Sequence, residues 1–481
     1  MQTFSMKQTP FLEQVCEHFS AFDYRHYTQG NISKAWWEKL VTAGIYQPVI
    51  RRSDDGRENY EELSRMIAQA AYHNLGLAMS FIVSTLLFAD NVMEYGTEAL
   101  KKEVLADLSD HAGLGGIAII EPEVGSGLRL MQTVAEKEGD GFRIKGKKHW
   151  QCFSTSAGWW LVTAKNKGQD ETAGAFGFYV HKSAAGGFRT AQTYQPKGLH
   201  VIDFGVNELD AYVPDYRRLN LCGTGIPEIY QLIIPTWRQF ASLGNGFLSR
   251  MYEESVKFAS ERPCPAGYLK DIAFVRYRLG NIAACRTICQ ALFHYVIDFF
   301  RNNEKGTREI FPAQCIKVMA SDCMLSGAMH YQILCGANGY RYDASDNIAA
   351  MAVNDAQAFV MLSIPNDVLS LYLANEFLEK FGREGHTTFR DLITHSPFTQ
   401  AAAAHLEPYK KELAYMPAGN LELVMSGQIL TRIFAIAALD QYSSTAEADP
   451  ESISAAILYC VNEIATILGN KSIAQQISNV I

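Results

Sequence analysis

The chain has 481 residues, 48% hydrophobic and 20% charged, with a formal net charge of −8 at pH 7. That balance fits a folded protein of about two to four packed domains and excludes an intrinsically disordered one. It offers no basic footprint, so nucleic acid is not an expected partner. The ten cysteines are scattered, without the spacing of a zinc site. Cys285 and Cys289, one turn apart on a helix face, read as small core residues. With no secretory leader at Met1-Gln2-Thr3-Phe4, a reducing, cytoplasmic compartment is expected.

Residues 1–113 read as a helical domain. Trp36, Trp37, Leu40 and Val41 recur at helical spacing before Gly44 and the Gln47-Pro48 break. Tyr60 to Ala71 is a second amphipathic run. From Ile67 to Ala89 there is no formal charge, a length sufficient to cross a bilayer. Gln69, His73, Asn74 and Gly76 interrupt it, so two buried helical pieces joined by a turn are expected, and no membrane span. Thr97 reads as an N-cap ahead of Glu98, Leu100 and Leu105.

Residues 114–225 change to short strands and turns. The segment Ile117-Ala-Ile-Ile-Glu121-Pro122 ends an extended run, and Gly125-Ser126-Gly127 turns it. A Gly-bounded return follows through Gly141-Phe-Arg-Ile-Lys-Gly-Lys-Lys-His-Trp150. Phe142–Lys145, Trp160–Thr163 and Phe176–Val180 carry strand patterns. Residues 226–383 return to long one-sided helices, Tyr230–Phe258, Ile272–Arg301, Phe311–Gly336 and Ala356–Phe381, with the period and length of a four-helix bundle. Residues 384–481 continue as helix-rich sequence that could cover the bundle or an oligomer interface. There is no phosphate loop, no His-Glu-x-x-His and no Gly-x-Ser-x-Gly elbow. Gly223-x-Gly225 lacks the third glycine of a dinucleotide fingerprint.

Helical domain, β-domain and helical bundle, in that order, resemble the acyl-CoA dehydrogenase family, with a helical C-terminal extension beyond its usual end. The residues that carry the resemblance are Glu121-Pro122-x-x-Gly125-Ser126, the strand ending in Trp150, and the turn Gln332-Ile-Leu-Cys-Gly336-Ala-Asn-Gly339-Tyr340. The resemblance implies a fold that is mostly α with a central, barrel-like β-domain. It implies FAD as cofactor and an acyl thioester, on coenzyme A or a carrier protein, as substrate. It also implies a homodimer or homotetramer, because the Gln332 turn in the family reaches the flavin of a neighbouring subunit.

The flavin contacts the family implies fall here on Ile120, Ser126, Trp150, Cys152, Arg262, Gln332, Gly336 and Gly339. Trp150 matches the residue that packs on the flavin ring, and Cys152 stands where a threonine hydroxyl meets flavin N5. Ile120 replaces the threonine before Glu-Pro. Arg262 matches the arginine that pairs with the pyrophosphate, a planar fork suited to phosphate oxygens; Ala273 stands near a cofactor-contacting glutamine.

The family's chemistry needs a carboxylate within hydrogen-bond reach of a substrate α-proton and donors to the thioester carbonyl. The usual glutamate position is Ser363, and Asn354-Asp355 replaces the Arg-Asp ahead of it. The alternative base position, beside Arg238, is Trp237. No glutamate lies between Gly339 and Ala374. The sequence therefore implies an FAD-dependent oxidoreductase of non-standard chemistry, with no assignable catalytic base. The alternative is a flavin-free protein of the same fold, acting as a lyase-like enzyme or a binding subunit.

Overall fold

The computed structural model describes residues 10–25, 30–50, 57–125, 127–167, 176–221, 226–302, 309–382 and 388–478. They fall into two compact units that divide at Trp237. In the first unit the helix Lys34–Ala43 starts where Ser33 Oγ accepts from Trp36 N–H. It ends at Gly44, whose φ of 108° supplies the left-handed cap that glycine adopts without strain. Thr97 caps the helix Glu98–Asp110 by accepting from Leu100 N–H at 3.2 Å, as expected.

The uncharged stretch divides at Asn74, as its polar residues predict. The helix Arg57–His73 stops there, and Asn74 Oδ1 accepts from Gly76 and Leu77 N–H to start Leu75–Phe81. The chain then widens into π-helical turns over Ile82–Asp90 before the short helix Asn91–Tyr95. Among the described residues three helices are long and apolar enough to cross a membrane. Leu75–Tyr95 is 100% buried inside the fold, Gly419–Ser443 67% and Pro450–Ser478 22%.

The β-residues of the first unit make one seven-stranded sheet. Trp159–Asn166 pairs in parallel with Gly115–Ala118 and Val134–Glu138, and antiparallel with Phe176–Lys182. Val134–Glu138 turns back on Gly141–Cys152, which pairs along its length with Phe204–Pro214; Phe188–Thr193 closes the far edge. The three expected strands fall inside Gly141–Cys152, Trp159–Asn166 and Phe176–Lys182. One irregularity matters: the register with Phe204–Pro214 slips between His149 and Gln151, leaving Trp150 in a bulge.

The second unit is helical apart from a two-residue antiparallel pairing of Pro263–Cys264 with Gly267–Tyr268. Phe240–Glu261, Ala273–Asn302, Ile310–Cys335 and Asn366–Phe381 are its long bundle helices. Two expected helices are shorter than their apolar pattern suggests. Tyr230–Phe258 is broken at Gln239 into Ile226–Arg238 and Phe240–Glu261. Ala356–Phe381 is broken between Ala349–Phe359 and Asn366–Phe381. The second break has two causes: Ser363 and Ile364 hold φ of 55° and 84°, and Pro365 keeps the residue before it out of the helical region.

The C-terminal residues cover the bundle. Phe311 stacks on Phe377 at 5.3 Å and on Phe398 at 5.2 Å, and meets the edge of Phe434 at 6.3 Å. At Gly427, in the helix Gly419–Ser443, a Cβ would lie 2.0 Å from the Ser370 carbonyl oxygen, so only glycine lets these two helices come this close.

Candidate functional site

The sheet presents its site residues on two adjacent segments tied by a buried ion pair. Lys148 is fully buried, and its Nζ donates to Glu121 Oε1 at 3.0 Å, Ile119 O at 2.9 Å and Thr163 Oγ1 at 3.3 Å. Glu121 also accepts from the backbone N–H of Gln132 and Thr133. Burial alone would raise the Glu121 carboxyl. The Lys148 charge and these hydrogen bonds outweigh it and hold the carboxyl below its ordinary range. Ile120 continues the tie, its carbonyl accepting from His149 N–H at 3.0 Å. The Glu-Pro segment and the Trp150 segment are thus fixed to one another. Ser126 lies outside the described residues.

Trp150 sits at φ 58°, a left-handed conformation costly for an aromatic residue. Its side chain is 46% exposed, which is uncommon for a tryptophan that also has ring neighbours: Tyr194 at 4.6 Å and Phe204 at 5.8 Å. His149 Nδ1 and the Tyr194 hydroxyl lie 3.2 Å apart. A strained backbone that holds a flat ring at the surface beside a second ring makes an aromatic platform. Cys152 ends the same strand. It is buried, and burial with nearby Asp203 pushes its thiol up to about 12, so it is a neutral, weak donor. Asp203 pins the following turn by accepting from Thr155 N–H, Thr155 Oγ1 and Ser156 Oγ.

In the helical unit the two candidate base positions meet. The fully buried Trp237 donates from Nε1 to Ser363 Oγ at 2.9 Å and to the Ser363 carbonyl at 3.3 Å. Sequence reasoning singled out both positions but gave no sign that they are partners. It also missed Lys317, a fully buried lysine whose Nζ donates to Ile364 O at 2.8 Å and Asn366 Oδ1 at 2.6 Å. Burial pushes this ammonium down to about 7, against the opposing charge of Asp322. The available signal was a single charge inside the apolar run Cys315-Ile-Lys-Val-Met319.

The remaining candidates stand on the same unit. Arg262 caps the helix Phe240–Glu261, exposed, with its guanidinium 5.4 Å from the Phe258 ring centre. Gln332 spends its side chain on its own turn, Nε2 donating to Gly339 O at 3.0 Å. Gly336 holds φ 62°, and a Cβ on Gly339 would lie 2.5 Å from Gln332 O, so both glycines are required by the turn itself.

Two family models match the chain. The acyl-CoA dehydrogenase N-terminal domain covers residues 9–112 and the acyl-CoA dehydrogenase middle domain residues 116–211. Glutaryl-CoA dehydrogenase of Desulfococcus multivorans is 28% identical over 36% of this chain and 45% of its own length, so the match spans under half of that relative. L-prolyl-[peptidyl-carrier protein] dehydrogenase of Pseudomonas fluorescens is 27% identical over 57% of this chain and 73% of its own. Among solved structures, an acyl-CoA dehydrogenase complexed with FAD from Bacillus anthracis superposes with a TM-score of 0.77 at 15% identity. It covers 98% of this chain and 90% of that one, and so takes in the C-terminal residues as well. The helical and sheet regions thus match the N-terminal and middle domains of the acyl-CoA dehydrogenase family, and the helical, sheet and helical regions in this order have the fold of an acyl-CoA dehydrogenase.

Proposed function

We propose that the protein is an FAD-dependent oxidoreductase acting on an acyl thioester, carried on coenzyme A or a carrier protein, by chemistry that does not use the usual carboxylate base. The relatives named above include one of each carrier type, a coenzyme A dehydrogenase and a peptidyl-carrier-protein dehydrogenase. The residues present suit the cofactor. The half-exposed Trp150 ring offers a flat apolar face on which an isoalloxazine ring could pack, and the exposed Arg262 suits a pyrophosphate. When bound, FAD supplies a two-electron acceptor.

The observation that carries the altered chemistry is the Trp237–Ser363 hydrogen bond. Ser363 Oγ already accepts from an indole N–H, which leaves its own proton to donate. The group at this position is therefore a neutral hydroxyl with a proton to donate, where the family has a carboxylate that takes one up. Loss of a positioned base lowers rates by about 10²–10⁴. A donor here favours acyl groups with an acceptor atom near the thioester, or substrates already activated for loss of the proton. A homo-oligomer, dimer or tetramer, in the cytoplasm completes the reading; Met329 and Ile333 stand exposed on the helix that carries Gln332.

Absorbance between about 350 and 500 nm on freshly purified protein, then on protein titrated with FAD, tests the assignment. Flavin bands with stoichiometric uptake are expected. Colourless protein that takes up no flavin would overturn the reading in favour of a flavin-free binding or lyase-like role.

A further inference from the structure

The strained turn at Ser363-Ile364 is held from both sides. Trp237 fixes Ser363, and Lys317 fixes the Ile364 carbonyl. A β-branched residue at φ 84° persists only where its surroundings over-determine it, and the groups that fix it are themselves held from further out. Lys317 Nζ also donates to Asn366 Oδ1 at 2.6 Å; Asn366 Nδ2 donates to Asp322 Oδ1 at 2.7 Å and to Ser321 Oγ at 3.0 Å. Asp322 Oδ2 accepts from Arg432 at 2.8 Å. The same Arg432 nitrogen lies 3.6 Å from Glu463, and its other terminal nitrogen donates to Thr431 Oγ1 at 3.0 Å.

Arg432 lies in the helix Gly419–Ser443 and Glu463 in Pro450–Ser478. The chain of contacts therefore begins in the C-terminal extension and ends on the turn that carries the family's base position. Donors and acceptors are matched at every link: Asp322 accepts from the Arg432 guanidinium and the Asn366 amide nitrogen, and Lys317 donates to the Asn366 amide oxygen and the Ile364 carbonyl. The Asn366 amide has a single workable orientation in it, nitrogen toward the carboxylate and oxygen toward the ammonium. Arg432 and Lys317 are both buried, where charge-assisted hydrogen bonds are strong and a missing partner is costly.

We infer that Arg432, Asp322, Asn366 and Lys317 form a positioning relay by which residues of the C-terminal extension set the geometry of Ser363 and its bond to Trp237. The extension is thus a working part of the site and not only a cover for the bundle. The catalytic meaning of the relay rests on the function proposed above, whereas its structural action on Trp237 does not.

The indole N–H of Trp237 reports that action directly. The full-length protein labelled with [¹⁵N]tryptophan gives six indole signals, one for each tryptophan; Trp237→Phe identifies its own. Arg432→Gln and, at mid-relay, Asn366→Leu should each move the Trp237 signal and speed its solvent exchange several-fold, while the signals of Trp159 and Trp160 stay in place. Arg432→Lys, which keeps the charge beside Asp322, should restore it. A Trp237 signal unmoved in variants that remain folded overturns the relay. So does a signal that moves only together with all the others, since that is general loosening. Flavin uptake is scored on the same samples. A colourless protein sinks the flavin reading without touching the indole result, and a still indole in a flavin-bound protein sinks the relay alone.

Discussion

At Lys317 burial and charge pull in opposite directions. Its folded pKa of about 7 lies below the ordinary 10.5, so between those values the unfolded chain binds more protons than the folded one. Stability therefore rises with pH across that window, and the full cost of burying the ammonium is present below it. Lys317→Met carries no such term. Thermal denaturation from about pH 6 to about pH 9 should show the wild type gaining on the variant as pH rises; a gap independent of pH would mean that the ammonium is not buried as described. Lys148 shows the complementary solution, a buried ammonium kept beside a carboxylate. Removing one partner of such a pair costs about 3–5 kcal/mol, because the other is left uncompensated. The burial of Lys317 was signalled by its apolar run, whereas that of Lys148 was not legible in the sequence. Lys147 and Lys148 are adjacent, and only the strand's alternation decides which of them points inward.

Among the elements, the helices and strands with clean periodicity were legible: Lys34–Ala43 with its Ser33 and Gly44 ends, the cap at Thr97, and the three strands around Trp159–Asn166. What stayed hidden was geometry that periodicity does not encode. Val360-Met-Leu362 is as apolar as the helices on either side, so the break that turns Ser363 inward toward Trp237 was announced only by Pro365. The bulge at Trp150 depends on register with Phe204–Pro214, a strand more than fifty residues away in sequence. Helix packing was likewise invisible at Gly427, where its closeness to Ser370 sets the approach of Gly419–Ser443 to Asn366–Phe381. Gly427→Ala should force these helices apart at a cost of about 1–3 kcal/mol, read as a lower urea midpoint with an unchanged slope. A midpoint equal to the wild type's would show that the contact is looser than it stands.

Across the whole molecule, order of domains was readable from alternating periods, whereas the role of the last hundred residues was not, because an amphipathic helix does not name the surface it will cover. The Phe311 stack answers that within the second unit. Its ring touches Phe377 from the bundle and both Phe398 and Phe434 from the C-terminal residues. Native-state hydrogen exchange should give slow amides in Ile310–Cys335 and Gly419–Ser443 the same opening free energy; a distinctly lower value for the second helix would show that it detaches on its own. The practical corollary concerns where the gene can be cut. A shortened version trimmed to the length of an ordinary bundle would strip two ring partners, Phe398 and Phe434, from one phenylalanine and leave the half-buried Asp322 without its arginine. The expected product of such trimming is insoluble protein, not a minimal enzyme.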